Sequence, residues 1–205
     1  MKKFAILIGT LAALSAGPIA AQSQLEPLSN QEVLQITESV QKCFSDASTE
    51  AGAEACLDIP RETLDIWLPC GDRANTTYEM SFCSGQIKRV LDRVLNTEYQ
   101  ISIKYEKYWD SESPTEVWDP VIQARVVVSK EEILRSAQRA WLAYRDADCL
   151  ARIGPNTGYR MYSTNFTGCI ASFTKERIMN IVLIRMGGYS SGEYSPENFY
   201  YDDYK

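Results

Sequence analysis

Apolar positions recur at helical spacing through most of the chain. Val33, Leu34, Ile36, Val40 and Phe44 follow this spacing within Gln31 to Ala47 and predict a first helix. Glu50 to Cys56 reads as a second, short helical piece that closes a small loop back to Cys43. The longest periodic run opens at Thr76-Thr77-Tyr78-Glu79, a capping-box pattern. Behind it Met80, Cys83, Ile87, Val90, Val94, Thr97 and Ile101 alternate steps of three and four, so one seam faces a partner helix for about six turns. Ser129-Lys130-Glu131-Glu132 is a second such pattern and starts another helix. There Leu134, Gln138, Trp141, Arg145 and Cys149 form one stripe, and Ile133, Ala137, Ala140, Tyr144, Ala147 and Ala151 form a second. One partner covers a stripe of only about 100°. This segment is therefore predicted to be the central helix, gripped from at least two sides, with Trp141 in the core. A last helix is expected from Cys169 to Met186, with Ile170, Phe173, Thr174, Arg177, Ile181 and Ile184 on one stripe and Gly187-Gly188 as its stop.

Between these runs the pattern fails. Gln22 to Asn30 is polar and reads as a flexible lead-in, while Pro60, Pro69 and Gly71 flank an apolar plug of Leu64, Ile66, Trp67 and Leu68. Tyr108 to Lys130 carries Pro114 and Pro120 and is read as a long loop. Val121 to Val128 has strand-like composition, but a lone strand has nothing obvious to pair with. Gly154-Pro155-Asn156-Thr157-Gly158 is turn chemistry, and the segment after Gly187 is acidic, rich in tyrosine and without periodicity. The fold class predicted from this pattern is all-α: a small disulfide-stabilised helical bundle with a long inter-helix loop.

Composition narrows the chemistry. Met1-Lys2-Lys3, the apolar run Phe4 to Leu14 and the small residues up to Ala21 read as a secretory signal peptide, which places the mature chain in the periplasm or outside the cell. No second apolar run is long enough to span a bilayer, and no cysteine follows the expected cleavage point, so neither a membrane span nor a lipid anchor is expected. Removing Lys2 and Lys3 takes the formal charge from −6 to −8, which argues against nucleic acid and suits a basic partner or simple solubility. The chain has no histidine, which excludes Ser-His and Cys-His catalysis and histidine metal sites. Six cysteines in an exported chain favour disulfides. No catalytic, cofactor-binding or metal-ligating residues are assigned.

Three motifs then carry a family resemblance. Ala137-Gln138-Arg139-Ala140-Trp141-Leu142-x-Tyr144-Arg145-Asp146-Ala147-x-Cys149 resembles the second-helix signature of the lysozyme inhibitor LprI-like domain. Thr77-x-Glu79-Met80-x-x-Cys83 and Asp92-x-x-Leu95-Asn96-x-x-Tyr99 are similar to its first helix, and Cys169-x-x-x-x-Thr174-x-x-Arg177 to its closing helix. The resemblance implies a small, helical, disulfide-held envelope domain. The expected organisation is a signal peptide over 1–21, an N-terminal helical extension with a cystine over 22–69, the LprI-like domain over 70–186 and a disordered acidic tail over 187–205.

The cysteines pair most simply in order, Cys43 with Cys56, Cys70 with Cys83 and Cys149 with Cys169, although six cysteines allow about 15 connectivities. Asp92, Arg145, Asp148 and Arg177 are read as an interhelical ion-pair network, with Asp92 facing Arg145, because a buried guanidinium needs a carboxylate. The function implied by the resemblance is binding and blocking of a lysozyme-type muramidase, possible partners being basic lysozymes. The other reading is a non-inhibitory periplasmic interaction module using its aromatic acidic tail. Candidate target contacts are Trp109, Trp118 and Arg160, on the protruding segments Tyr108 to Asp119 and Ile153 to Phe166.

Overall fold

The computed structural model describes residues 25–47, 49–58, 74, 76–156 and 158–185. The expected signal peptide, the apolar plug at Leu64 to Leu68 and the acidic tail lie outside the described residues. Among the described residues five helices and one hairpin follow in order: α1 (Asn30–Asp46), α2 (Glu50–Ala55), α3 (Thr77–Glu112), β1 (Thr115–Asp119), β2 (Ala124–Val128), α4 (Lys130–Ile153) and α5 (Tyr162–Arg185). The architecture is a small disulfide-stabilised helical bundle carrying a two-stranded sheet.

Capping chemistry starts α1 and α3. Ser29 closes a reciprocal box with Glu32, and Thr76 closes one with Glu79. The lead-in is fastened rather than loose at its end: Leu28 is buried, its N–H donates to Gln86 Oε1 at 3.2 Å, and Arg89 donates to the Leu28 carbonyl and the Asn30 side chain. One buried leucine there offsets the ordering of a short polar segment.

The organising helix is α3. It packs against α1, α4 and α5, most extensively α5, and buries Val90, Leu91, Val94, Leu95, Ile101 and Ile103. The core joins these to Ile36, Val40 and Phe44 of α1, Ala53 of α2, and Ile178, Ile181 and Val182 of α5. The expectation of a central helix at Lys130 to Ile153 is corrected by this packing. Only the first stripe of α4 is buried, through Leu134, Gln138, Arg145 and Cys149. The second stripe faces solvent, with Ile133 at 57% and Tyr144 at 55% exposure. That stripe is mostly alanine, which counts as apolar in a pattern and favours helix but offers little area to bury. Trp141 is half-buried against the core edge.

Tyr108 to Lys130 is also corrected. Helix α3 continues to Glu112, and the remainder forms an antiparallel hairpin in the register Thr115↔Val128 through Asp119↔Ala124. The strand expected within Val121 to Val128 runs from Ala124 to Val128 and has a partner, the stretch just before the turn. The last helix begins at Tyr162, some two turns before Cys169. Stacked rings of Tyr162 and Phe166, 5.8 Å apart, and a Ser81 to Ser163 hydrogen bond of 2.8 Å hold that early portion. Gly154 ends α4 at φ 79°, a left-handed conformation that favours glycine.

Two disulfides pin helix ends: Cys43 to Cys56 and Cys149 to Cys169. Cys83 is disulfide-bonded as well, and Cys70, its expected partner, lies outside the described residues.

Candidate functional site

Two surfaces carry the residues the sequence singled out, Arg160 excepted. One is the hairpin and its base. At the base, Asp110 of α3 reaches the start of α4: its carboxylate accepts from the Ser129 hydroxyl at 2.8 Å, the Lys130 N–H at 3.0 Å and the Glu131 N–H at 3.1 Å. Ser129 caps the Glu132 N–H at 3.1 Å. The unsatisfied N–H groups of the first turn of α4 are therefore bonded from the neighbouring helix, which clamps the two ends of the hairpin together. Burial alone would raise the Asp110 pKa; the N–H donors of Lys130 and Glu131 and the Ser129 hydroxyl outweigh it and hold the carboxyl below its ordinary value.

Glu106, one turn earlier and buried, is pushed the other way. Burial raises its pKa, Lys130 pulls it back and Asp110 adds to the rise. The folded protein then holds this proton more tightly than the unfolded chain, so stability is complete below the unfolded value and is lost as pH rises through the folded one. Glu106→Gln is expected to melt higher than the parent at pH 7 to 8, with the advantage closing as pH falls through the ordinary carboxylate range. Parallel melting curves across that range would contradict the assignment.

Beyond this clamp the hairpin leaves the helices. Trp118 is 61% exposed and Val121 87%, and Ile122 and Val127 are exposed too. Trp118 lies directly opposite Arg125 in the strand register, so both project from the same face of the ribbon. Arg125 approaches Glu116 at 3.8 Å and remains largely solvated. Asp119 spends its carboxylate within the turn, accepting from Val121 and Ile122 N–H groups at 2.8 and 3.3 Å. Trp109 sits on α3 at the same end of the bundle, edge-on to Tyr105 at 6.2 Å and Tyr108 at 5.4 Å. Arg160 is exposed in the turn between α4 and α5. A helix of 24 residues, about 36 Å long, separates that turn from the hairpin. Trp118 and Arg160 are at opposite ends and cannot enter one small cleft together. The sequence reasoning missed Arg125; three consecutive valines follow it, so no apolar-polar alternation marks the face it occupies.

The second surface is the seam between α3 and α4. Lys88 and Arg145 both approach Asp92, at 2.5 and 3.7 Å. Arg145 also binds Asp146 at 2.9 Å, donates to Thr174 Oγ1 at 3.3 Å and lies over the Trp141 ring at 5.0 Å. Arg177 donates through Nε to Gln138 Oε1 at 2.9 Å and approaches the Trp141 ring at 5.9 Å. Asp148 turns to Arg152 on its own helix at 2.5 Å, away from Arg145. Of the four residues expected as one network, Asp92 and Arg145 face each other, Arg177 shares Trp141 with Arg145 and bonds Gln138, and Asp148 pairs with Arg152 instead. Among the described residues the fully buried ion pair is elsewhere, between Glu98 of α3 and Arg185 at the end of α5, at 2.7 Å.

Beside Arg145 the seam opens into a groove of about 390 Å³, lined by Asp92, Leu95, Asn96 and Tyr99 of α3 and by Arg135, Gln138, Arg139, Leu142 and Arg145 of α4. All but Arg135 belong to the two signatures that carried the family resemblance.

A family model described as lysozyme inhibitor LprI matches residues 70–180, more than half of the chain. The chain belongs to the LprI family. Membership implies an inhibitor-like role with a protein partner. An uncharacterised protein of Rhizobium meliloti (strain 1021) is 29% identical over 105 residues, covering 51% of this chain and 70% of the relative. No solved structure matches. The match to the LprI model spans α3, the hairpin, α4 and most of α5, so both surfaces fall within it. None of the described helices is long and apolar enough to cross a membrane.

Proposed function

We propose that this protein is an exported inhibitor that blocks a lysozyme-type muramidase by seating its hairpin in the enzyme's cleft. The observation that carries this reading is the hairpin itself, which projects Trp118, Val121, Ile122 and Val127 into solvent. A two-stranded ribbon is only marginally stable alone, and exposed apolar side chains gathered along it are a feature of contact surfaces rather than of bare scaffolds. The shape is convex, as a cleft requires. Muramidases of this type cut through a pair of carboxylates, and Arg125, opposite Trp118, brings a cation to the inserted end. The acidic charge of the whole chain adds long-range attraction for a basic enzyme. The reading places the protein in the periplasm or outside the cell, acting by binding and not by catalysis. The same hairpin would suit a groove on another envelope protein, which is the rival reading.

Trp118→Ala is expected to weaken inhibition about 30-fold, the effect of losing a central aromatic anchor of roughly 2 kcal/mol. Arg125→Gln should reduce it by a smaller factor. Neither exposed substitution should change the melting temperature. A Trp118→Ala protein as inhibitory as the parent would remove the hairpin from the contact.

A further inference from the structure

We infer that the groove between α3 and α4 is a binding site for a carboxylate carried on an apolar or aromatic group, with Arg139 as its open cation. Three of its side chains are guanidinium groups and one is a carboxylate, on a chain whose formal charge is −6. The carboxylate, Asp92, is already faced by Lys88 and Arg145. Arg135 is held by Glu131 at 2.6 Å and by Tyr99, and Arg145 by Asp92, Asp146 and Thr174. Arg139 is exposed and makes no hydrogen bond or ion pair among the described residues. The result is a positively charged recess with one guanidinium left available beside two that are fixed.

The geometry of guanidinium matches planar oxyanions through paired N–H donors. The remaining lining selects among them. Leu95 and Leu142 supply apolar walls and Tyr99 a ring, which suit an organic acid better than a bare ion. Asp92 nearby penalises a doubly charged phosphate more than a singly charged carboxylate. An acidic side chain or chain end of a peptide, next to an aromatic residue, has the required chemistry. The site lies on the flank of the helices rather than on the hairpin and holds whether or not the chain blocks a muramidase.

The test is a titration of the oxidised, isotopically labelled full chain followed by NMR, with N-acetyltyrosine as probe and N-acetyltyrosinamide and inorganic phosphate as controls. Saturable shifts confined to residues 92–99 and 135–145 are expected with N-acetyltyrosine, with none from the amide and weaker ones from phosphate. Arg139→Gln, exposed and without structural partners, should bind the acid about tenfold more weakly at an unchanged melting temperature. The assignment is overturned by an absence of saturable shifts up to roughly 10 mM, by equal binding of the amide or phosphate, or by an Arg139→Gln protein that binds as tightly as the parent.

Discussion

Glu98→Ala is expected to cost about 3 to 5 kcal/mol of stability. Glu98 and Arg185 are 0% and 2% exposed, and Arg185 spends one nitrogen on Glu98 at 2.7 Å and another on Ser102 at 3.1 Å. Alanine would remove the carboxylate and leave a guanidinium in low dielectric without its counter-charge, which is more expensive than never having buried the pair. A fall in Tm of about 10 °C is expected for a domain of this size. The double replacement Glu98→Leu with Arg185→Met should restore most of the loss, because an apolar pair of similar volume has no charge to desolvate. Denaturant melts of the two single variants and the double variant decide the matter. Equal costs for single and double variants would show that packing volume, not the stranded charge, sets the effect.

Removing the Cys149 to Cys169 bridge by alanine at both positions is expected to cost about 3 kcal/mol. The bridge closes a loop with a sequence separation of 20, and the chain-entropy model gives about that figure for such a loop. Cys149 is fully buried on the inner stripe of α4, so the substitution also removes packed sulfur. The consequence should be local as well as global. This cystine holds the end of α4 beside the third turn of α5, and the Arg145 to Thr174 contact lies on the same two helices. Hydrogen exchange should accelerate first in residues 145–170. An unchanged midpoint of unfolding would mean that helix packing alone fixes this corner.

The sequence made α3 and most of α5 legible through large side chains, although Ile184 on the expected α5 stripe is exposed. Val90, Val94 and Ile101 on α3, and Ile170, Thr174 and Ile181 on α5, are buried as their spacing requires. It misled where apolar meant alanine: Ala137, Ala140, Ala147 and Ala151 made α4 look central, yet they lie on its outer face. The hairpin was hidden because strand pairing is non-local information. Val121 to Val128 had the composition of a strand, but nothing in a single stretch announces that Thr115 to Asp119 will lie beside it. Arg145 and Asp92 were legible as neighbours, since a guanidinium on a buried stripe requires a carboxylate from another helix. Glu98 was not, because an acid on a buried stripe looks like a solvated residue until the helix ending in Arg185 is laid against it. Arg160 drew attention as a loop cation, whereas Arg125 holds the position across from Trp118.

The central claim is that this LprI-family protein binds and blocks a muramidase, and its most direct test is a lysis assay with purified, fully oxidised protein titrated against lysozymes of several structural types. The account predicts stoichiometric inhibition of at least one type, reaching completion near one inhibitor per enzyme and weakened by Trp118→Ala. Full lytic activity of every type in the presence of excess protein, with no complex detectable by co-elution, would contradict it.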